Sequence, residues 1–365
     1  MLRLHSPEKR KRFPLSTTRA AKSSFLPRKL PTSNLAQPTV RANSVSVAKA
    51  AQLLSRQLLF VTGKGGVGKT SIAVALATSA AASGKRTLLC EMDSKGAIAN
   101  ALGVSQLGFE PTEVSPRLFA MAMNTQDSLR EYIRLFVRIP LITSIGPLAK
   151  MFDFVASAAP GVKEILAVGK LCWEVREKNY DIVIVDAEAS GHIVAQIEAP
   201  RTLTNIVQVG LIRDQTKWMQ EILHDPSRTG VVVVTTPEEM PVVETIELLD
   251  TLSAKSSVSV AAVVANRVSG DIFADRDMPL FAALQTFAGS QQCTAQQQAL
   301  LTAPLRAVEI AVDRRTHAVA HLALLAQRLR SPSIPLVVLP DVAVNQHDPR
   351  KLNEQLAAAL SEELS

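Results

Sequence analysis

Leu58-Leu59-Phe60-Val61-Thr62-Gly63-Lys64-Gly65-Gly66-Val67-Gly68-Lys69-Thr70-Ser71 decides how the rest of this chain is read. An apolar run enters, a glycine-rich turn follows, and a small-residue helical pattern over residues 71–83 leaves, stopped by Gly84. Gly63 through Thr70 fits G-x-x-x-x-G-K-[ST], a loop that holds phosphate. Gly63, Gly65, Gly66 and Gly68 let the N–H groups of the loop, Val67 included, curl around an anion with no Cβ in the way. The start of the helix at Lys69, Thr70 and Ser71 adds partial positive charge. Lys69 is placed to reach the β- and γ-phosphates, and the Thr70 hydroxyl is a ligand for Mg²⁺. ATP and Mg²⁺ are the cofactors this implies.

The chain of 365 residues, 47% of them hydrophobic, is long enough for one large α/β domain or two smaller ones. No uncharged apolar run reaches the ~18 residues of a membrane span. Cys90, Cys172 and Cys293 are far apart with no C-x-x-C, which fits a reducing, cytoplasmic setting and supplies no zinc ligand set. The net charge of +7 is unevenly spread: residues 1–57 hold 12 Lys and Arg against Glu8 alone, leaving 28 against 32 Asp and Glu in residues 58–365. The body is therefore mildly acidic, and no nucleic-acid partner is expected for it.

Residues 1–45 are rich in Ser, Pro, Arg and Lys without apolar periodicity, and read as a disordered basic leader. Three origins fit it: an organellar transit peptide, a tether to nucleic acid or acidic lipid, or upstream sequence preceding a start near Val45 or Val47. A short helix is expected over residues 46–56. From there, candidate strands at residues 58–62, 87–91, 118–123, 181–185, 231–235, 258–265 and 336–339 alternate with helical stretches. Several are continuous apolar runs, as parallel strands covered on both faces require. The expected fold is α/β, a doubly wound, mostly parallel sheet with its ligand site at the carboxyl ends of the strands.

Acids mark those ends. Asp93 follows the strand Leu88-Leu89-Cys90-Glu91, placed either to orient an attacking water or to cap a turn. Asp186 closes Tyr180-Asp181-Ile182-Val183-Ile184-Val185, and there would hold Mg²⁺ through water. The small-residue loop Ala187-Glu188-Ala189-Ser190-Gly191-His192 suits a segment that moves with the γ-phosphate.

With Lys64 near its start, KGGVGKT resembles the deviant phosphate-binding loop of dimeric ATPases such as the arsenite-pump ATPase, the tail-anchored-protein targeting ATPase, MinD and ParA. The ordered set LLCEMDSKGAIANALG, PGVKEIL, YDIVIVDAEASGHI, VVVVTTPEEMPVVET, VVANRV and LVVLPD narrows the resemblance to the arsenite-pump and targeting branch. It is most similar there to single-loop anion-transporting ATPase proteins of actinobacteria. That resemblance implies an ATP-driven dimer switch acting on a protein or membrane-associated partner. It implies catalytic roles for Lys64, reaching the other subunit's nucleotide, for Lys69, and for Asp93 as the water-activating residue of switch I. Asp186, Gly191 and His192 fall on switch II, Asn266 on the asparagine that recognises adenine, and Pro340 and Asp341 on the loop beside the base. With one phosphate loop per chain, a complete unit is a homodimer or a heterodimer with a paralogous ATPase.

The sequence departs from the branch at Asp93-Ser94-Lys95 and Ala187-Glu188-Ala189-Ser190, which leaves a slow or non-hydrolysing nucleotide switch as one alternative and a ParA- or MinD-like positioning ATPase as another. Residues 46–365 read as the ATPase domain with a helical, apolar insertion at about residues 125–172, either ordinary core and dimer interface or a groove for a hydrophobic client. His317 and His321, beside Arg314 and Arg315 with no carboxylate partner nearby, read as a solvated helix face rather than a metal site. The Ala-rich tail at residues 352–364 lacks the basic face of a membrane anchor.

Overall fold

The first strand, β1 (Leu58–Gly63), is buried at every residue, because it lies at the middle of a sheet covered on both sides. A computed structural model describes residues 52–92, 95–132, 162–206, 211–270, 277–331, 333–342 and 349–364, all within the unit Ala42–Ser365. The leader, Asp93 and residues 133–161 of the apolar block lie outside the described residues.

The other strands are β2 (Thr87–Glu91), β3 (Thr112–Ser115), β4 (Leu118–Ala122), β5 (Ile182–Asp186), β6 (Thr229–Thr235), β7 (Val260–Val268) and β8 (Leu336–Pro340). Their order across the sheet is β3-β4-β2-β5-β1-β6-β7-β8, with β3 antiparallel to β4 and every other pair parallel. The chain leaves β1 toward β2 on one side, and passes from β5 to β6 across β1 to the other. This reversal opens the crevice where open α/β sheets bind ligands.

Alternation along β1 builds two cores. Leu59 and Val61 face α1 (Lys69–Ala82), α2 (Ala97–Leu102) and α10 (Pro349–Leu364). Leu58 and Phe60 face the opposite layer of α4 (Val162–Arg176), α5 (Ser190–Ile206), α6 (Leu211–Leu223) and α7 (Glu239–Lys255). Helix α1 is buried from Ile72 to Ala77 without a polar stripe, as a helix enclosed on all sides should be. Its small residues let α10 approach closely: Ser79 Oγ donates to the Ala357 carbonyl and Ser361 Oγ to Ser79 Oγ, each at 3.2 Å. The acidic-ended tail is thus part of the core, through Leu356, Leu360 and Leu364.

The flanks of the apolar block are tied together. Lys170 on α4, nearly buried, donates at 2.7 Å to Glu131 on α3 (Thr125–Tyr132) and at 2.7 Å to Glu174 one turn along. Burial alone would lower the ammonium's pKa, but the two carboxylates more than offset it and hold it above the usual lysine value. Beyond β7, α8 (Met278–Ala288) leads to α9 (Ala295–Arg328), which starts at a capping box between Thr294 and Gln297.

The loop after β1 has no room at Gly63, whose Cβ would stand 2.1 Å from the Val234 carbonyl oxygen; at Gly65 it would meet nothing within 4 Å. Gly63→Ala should therefore cost at least about 2 kcal/mol and lower the melting temperature by several degrees, whereas Gly65→Ala should keep it. Thermal unfolding of the two variants, followed by circular dichroism, checks the contrast; equal melting temperatures would show that β1 can slide away from β6.

Candidate active site

Four chain segments meet at the carboxyl edge of the sheet. The loop between β1 and α1 carries Gly66 at φ 88° and Gly68 at φ 96°, left-handed conformations that only glycine adopts without strain. Gly68 stands at the N-cap of α1, and no side chain caps that helix. Its first N–H groups are thus left for a ligand that carries acceptors. Lys69 turns back and donates to the Lys64 carbonyl at 3.2 Å. Burial holds its ammonium below the usual lysine pKa, with Lys95 adding to the depression and Asp186 opposing it. An anionic phosphate would relieve that penalty.

Strand β5 lies against β1 with Asp186 opposite Val61, so register alone brings Asp186 to the start of α1. Thr70 Oγ1 donates to Asp186 Oδ2 at 2.6 Å, and Asp186 is only 7% exposed. A hydroxyl and a carboxylate adjacent in a buried corner are the hard oxygen donors that Mg²⁺ takes, so these residues fit the cation. The backbone continues the tie: Ala187 N donates to the Val61 carbonyl at 3.0 Å, and Thr62 Oγ1 to the Glu188 carbonyl at 3.0 Å. The loop from Asp186 to α5 is therefore anchored at its base. His192 is exposed further on, with Nδ1 4.0 Å from Glu188 Oε2.

The third wall is β7, which runs to Val268, three residues beyond the expected end at Ala265. That extension carries Asn266 onto the loop. Its buried Nδ2 donates to the Val67 carbonyl at 2.9 Å, and a Cβ on Gly68 would lie 2.4 Å from the same atom. Arg267 holds a left-handed φ of 58° and donates to the Gly66 carbonyl at 3.4 Å. Pro340 pairs with Val268 at the end of β8, and Asp341 N donates to the Val268 carbonyl at 3.0 Å. Asn266, Pro340 and Asp341 thus share one end of two neighbouring strands beside the glycine loop.

The fourth segment is α7, whose start lies within the VVVVTTPEEMPVVET stretch, although nothing there marks Glu244 as a partner of Lys64. Lys64 Nζ lies 2.5 Å from Glu244 Oε1, with both side chains about one-third exposed. Glu244 is 180 residues away along the chain, and a glutamate in an amphipathic helix carries no signature of such a partner. Glu91 was missed similarly: its buried carboxylate accepts from Ala97 N at 3.0 Å and Ile98 N at 3.2 Å, anchoring α2 after the Asp93 segment. Among the described residues no three His, Cys, Asp or Glu group as a metal site, and no helix is long and apolar enough to cross a membrane. Burial pushes the Cys90 and Cys172 thiols up, so they stay protonated and unreactive.

The family model described as "Anion-transporting ATPase" matches residues 56–216 and 208–297, more than half of the chain. ATPase BagA of Mycobacterium tuberculosis is 26% identical over 339 residues, which cover 87% of this chain and 98% of that protein. The ATPase ASNA1 homolog of Babesia bovis is 26% identical, covering 58% of this chain and 66% of its own length. A putative arsenical pump-driving ATPase of Halobacterium salinarum is 28% identical, covering 60% of this chain and 36% of its own.

Asn266→Ala removes the strut between β7 and the loop and leaves the Val67 carbonyl unmet. The expected loss is about 1–3 kcal/mol in stability, read by chemical denaturation, together with weaker nucleotide binding in a fluorescence titration. Unchanged stability would mean that the loop holds its shape without β7.

Proposed function

The chain belongs to the anion-transporting ATPase family and is an ATP hydrolase, and from that premise we propose an ATP- and Mg²⁺-dependent switch that works as a pair of chains on a membrane-associated partner. The observation that carries the reading is the 2.6 Å contact between Thr70 and Asp186 at the foot of a glycine loop whose helix is capped by no side chain. The N–H groups of residues 65–71 would bind the phosphates, and Lys69 would leave the Lys64 carbonyl for the β- and γ-oxygens. Thr70 directly and Asp186 through water would hold Mg²⁺, which when bound draws charge off the β- and γ-phosphates. Asn266 would offer its amide to adenine, with Pro340 and Asp341 beside the base. Asp93 would orient the attacking water, and the loop after Asp186 would report the γ-phosphate to α5.

In this reading Lys64 serves the other chain. Its own nucleotide already has Lys69, and the relative named as driving an arsenical pump supports work on a partner. The partner subunit is a second copy or a paralogous ATPase. Relatives named as ATPases favour hydrolysis over a switch that only binds. The acidic balance of residues 58–365 disfavours a positioning ATPase on DNA.

Lys69→Ala should abolish nucleotide binding, whereas Lys64→Ala should hold affinity within a few-fold and lower turnover, since a contact made only in the transition state is lost. Mixing the two variants should partly restore activity, because one mixed site combines an intact Lys69 with an intact Lys64. If the mixture stays as inactive as its components while both variants still pair with wild type, Lys64 does not act across an interface.

A further inference from the structure

Lys64 is engaged within its own chain, and the engagement opposes the role just proposed for it. Its ammonium is held on Glu244 of α7, while its carbonyl accepts from Lys69. One side chain cannot lie on Glu244 and also extend away from the body toward another chain's phosphates. We propose that the Lys64–Glu244 pair is a latch: the single chain stores the lysine on α7, and pairing of two copies requires its release. The inference rests on the paired-chain reading above.

Four observations converge on it. The pair joins the phosphate loop to a helix outside it, so the loop cannot move independently of α7 while the contact holds. Both members are about one-third exposed, so the bond is weak enough to break without leaving a buried charge behind. The two lysines are also connected through residue 64. When Lys69 turns from the Lys64 carbonyl to phosphate, the backbone bearing Lys64 loses its tie, so nucleotide loosens the latch from the loop side. From the other side, Glu244 lines a groove with Gly191, Val194 and Ala195 at the start of α5, the segment that follows Asp186. Both ends of the latch therefore adjoin segments proposed above to meet the phosphates.

An exposed ion pair biases an equilibrium by up to about 5-fold, and a pair of chains must open two, giving up to about 25-fold in the dissociation constant of the pair. The test is sedimentation velocity with Mg²⁺ and a non-hydrolysable ATP analogue on wild type, Glu244→Gln, Glu244→Ala, Lys64→Ala and Lys64→Ala/Glu244→Gln. Both Glu244 variants should pair more tightly than wild type, and Glu244→Gln should have no further effect once Lys64 is gone. Pairing by wild type with no tightening, or with weakening, in either soluble Glu244 variant overturns the latch and spares the paired-chain reading. Wild type and Glu244 variants that all stay single at every concentration overturn pairing of two copies of this chain, and the latch with it.

Discussion

The contact on which the site depends is between two backbones. Gly63, at the end of β1, lies so close to the Val234 carbonyl of β6 that no side chain fits between them. That closeness lets the chain turn at once from strand into phosphate loop and then into α1, directly above the middle of the sheet. Both neighbours of β1 are parallel, so their carboxyl ends arrive at the same level. On one side this sets Asp186 against Thr70. On the other, β6 passes its direction to β7, whose overrun carries Asn266 under Val67. The geometry of the candidate site is thus a consequence of register: a slip of one residue in β5 would turn Asp186 to the opposite face of the sheet.

The same region is electrostatically incomplete. The Lys69 ammonium is held below the usual lysine pKa by burial and, after it, by the neighbouring Lys95, against the pull of Asp186. It takes the Lys64 carbonyl as an acceptor, and Lys64 takes Glu244. The first is a contact that a ligand with several anionic oxygens would outcompete, because charge-assisted bonds to phosphate exceed one to a neutral carbonyl. A partly buried ammonium whose acceptor is a neutral carbonyl would be stabilised by an anion.

Much of this is legible in the sequence. Continuous apolar runs such as Ile182–Val185 identified parallel inner strands, and the glycine spacing at residues 63–70 identified the loop. Asp186 could be placed because its strand is short and ends in a single acid. The edge strand β3 was missed because three of the four residues of Thr112–Ser115 are polar and the strand is mostly exposed, with no apolar period to betray it. The overrun of β7 was hidden because Asn266 and Arg267 look like the end of a strand by composition; only the acceptors on the loop, Val67 and Gly66, reveal why the strand continues. Contacts such as Lys64 with Glu244 and Lys170 with Glu131 join distant parts of the chain, and such pairings follow from packing rather than from local pattern.

Hydrolysis is proposed to belong to two chains acting together. This is tested most directly by steady-state ATP turnover per chain, with saturating ATP and Mg²⁺, across the concentrations over which sedimentation shows single chains giving way to pairs. The account expects turnover per chain to rise from near zero and level off in step with pairing. Turnover that stays flat across that range would contradict it.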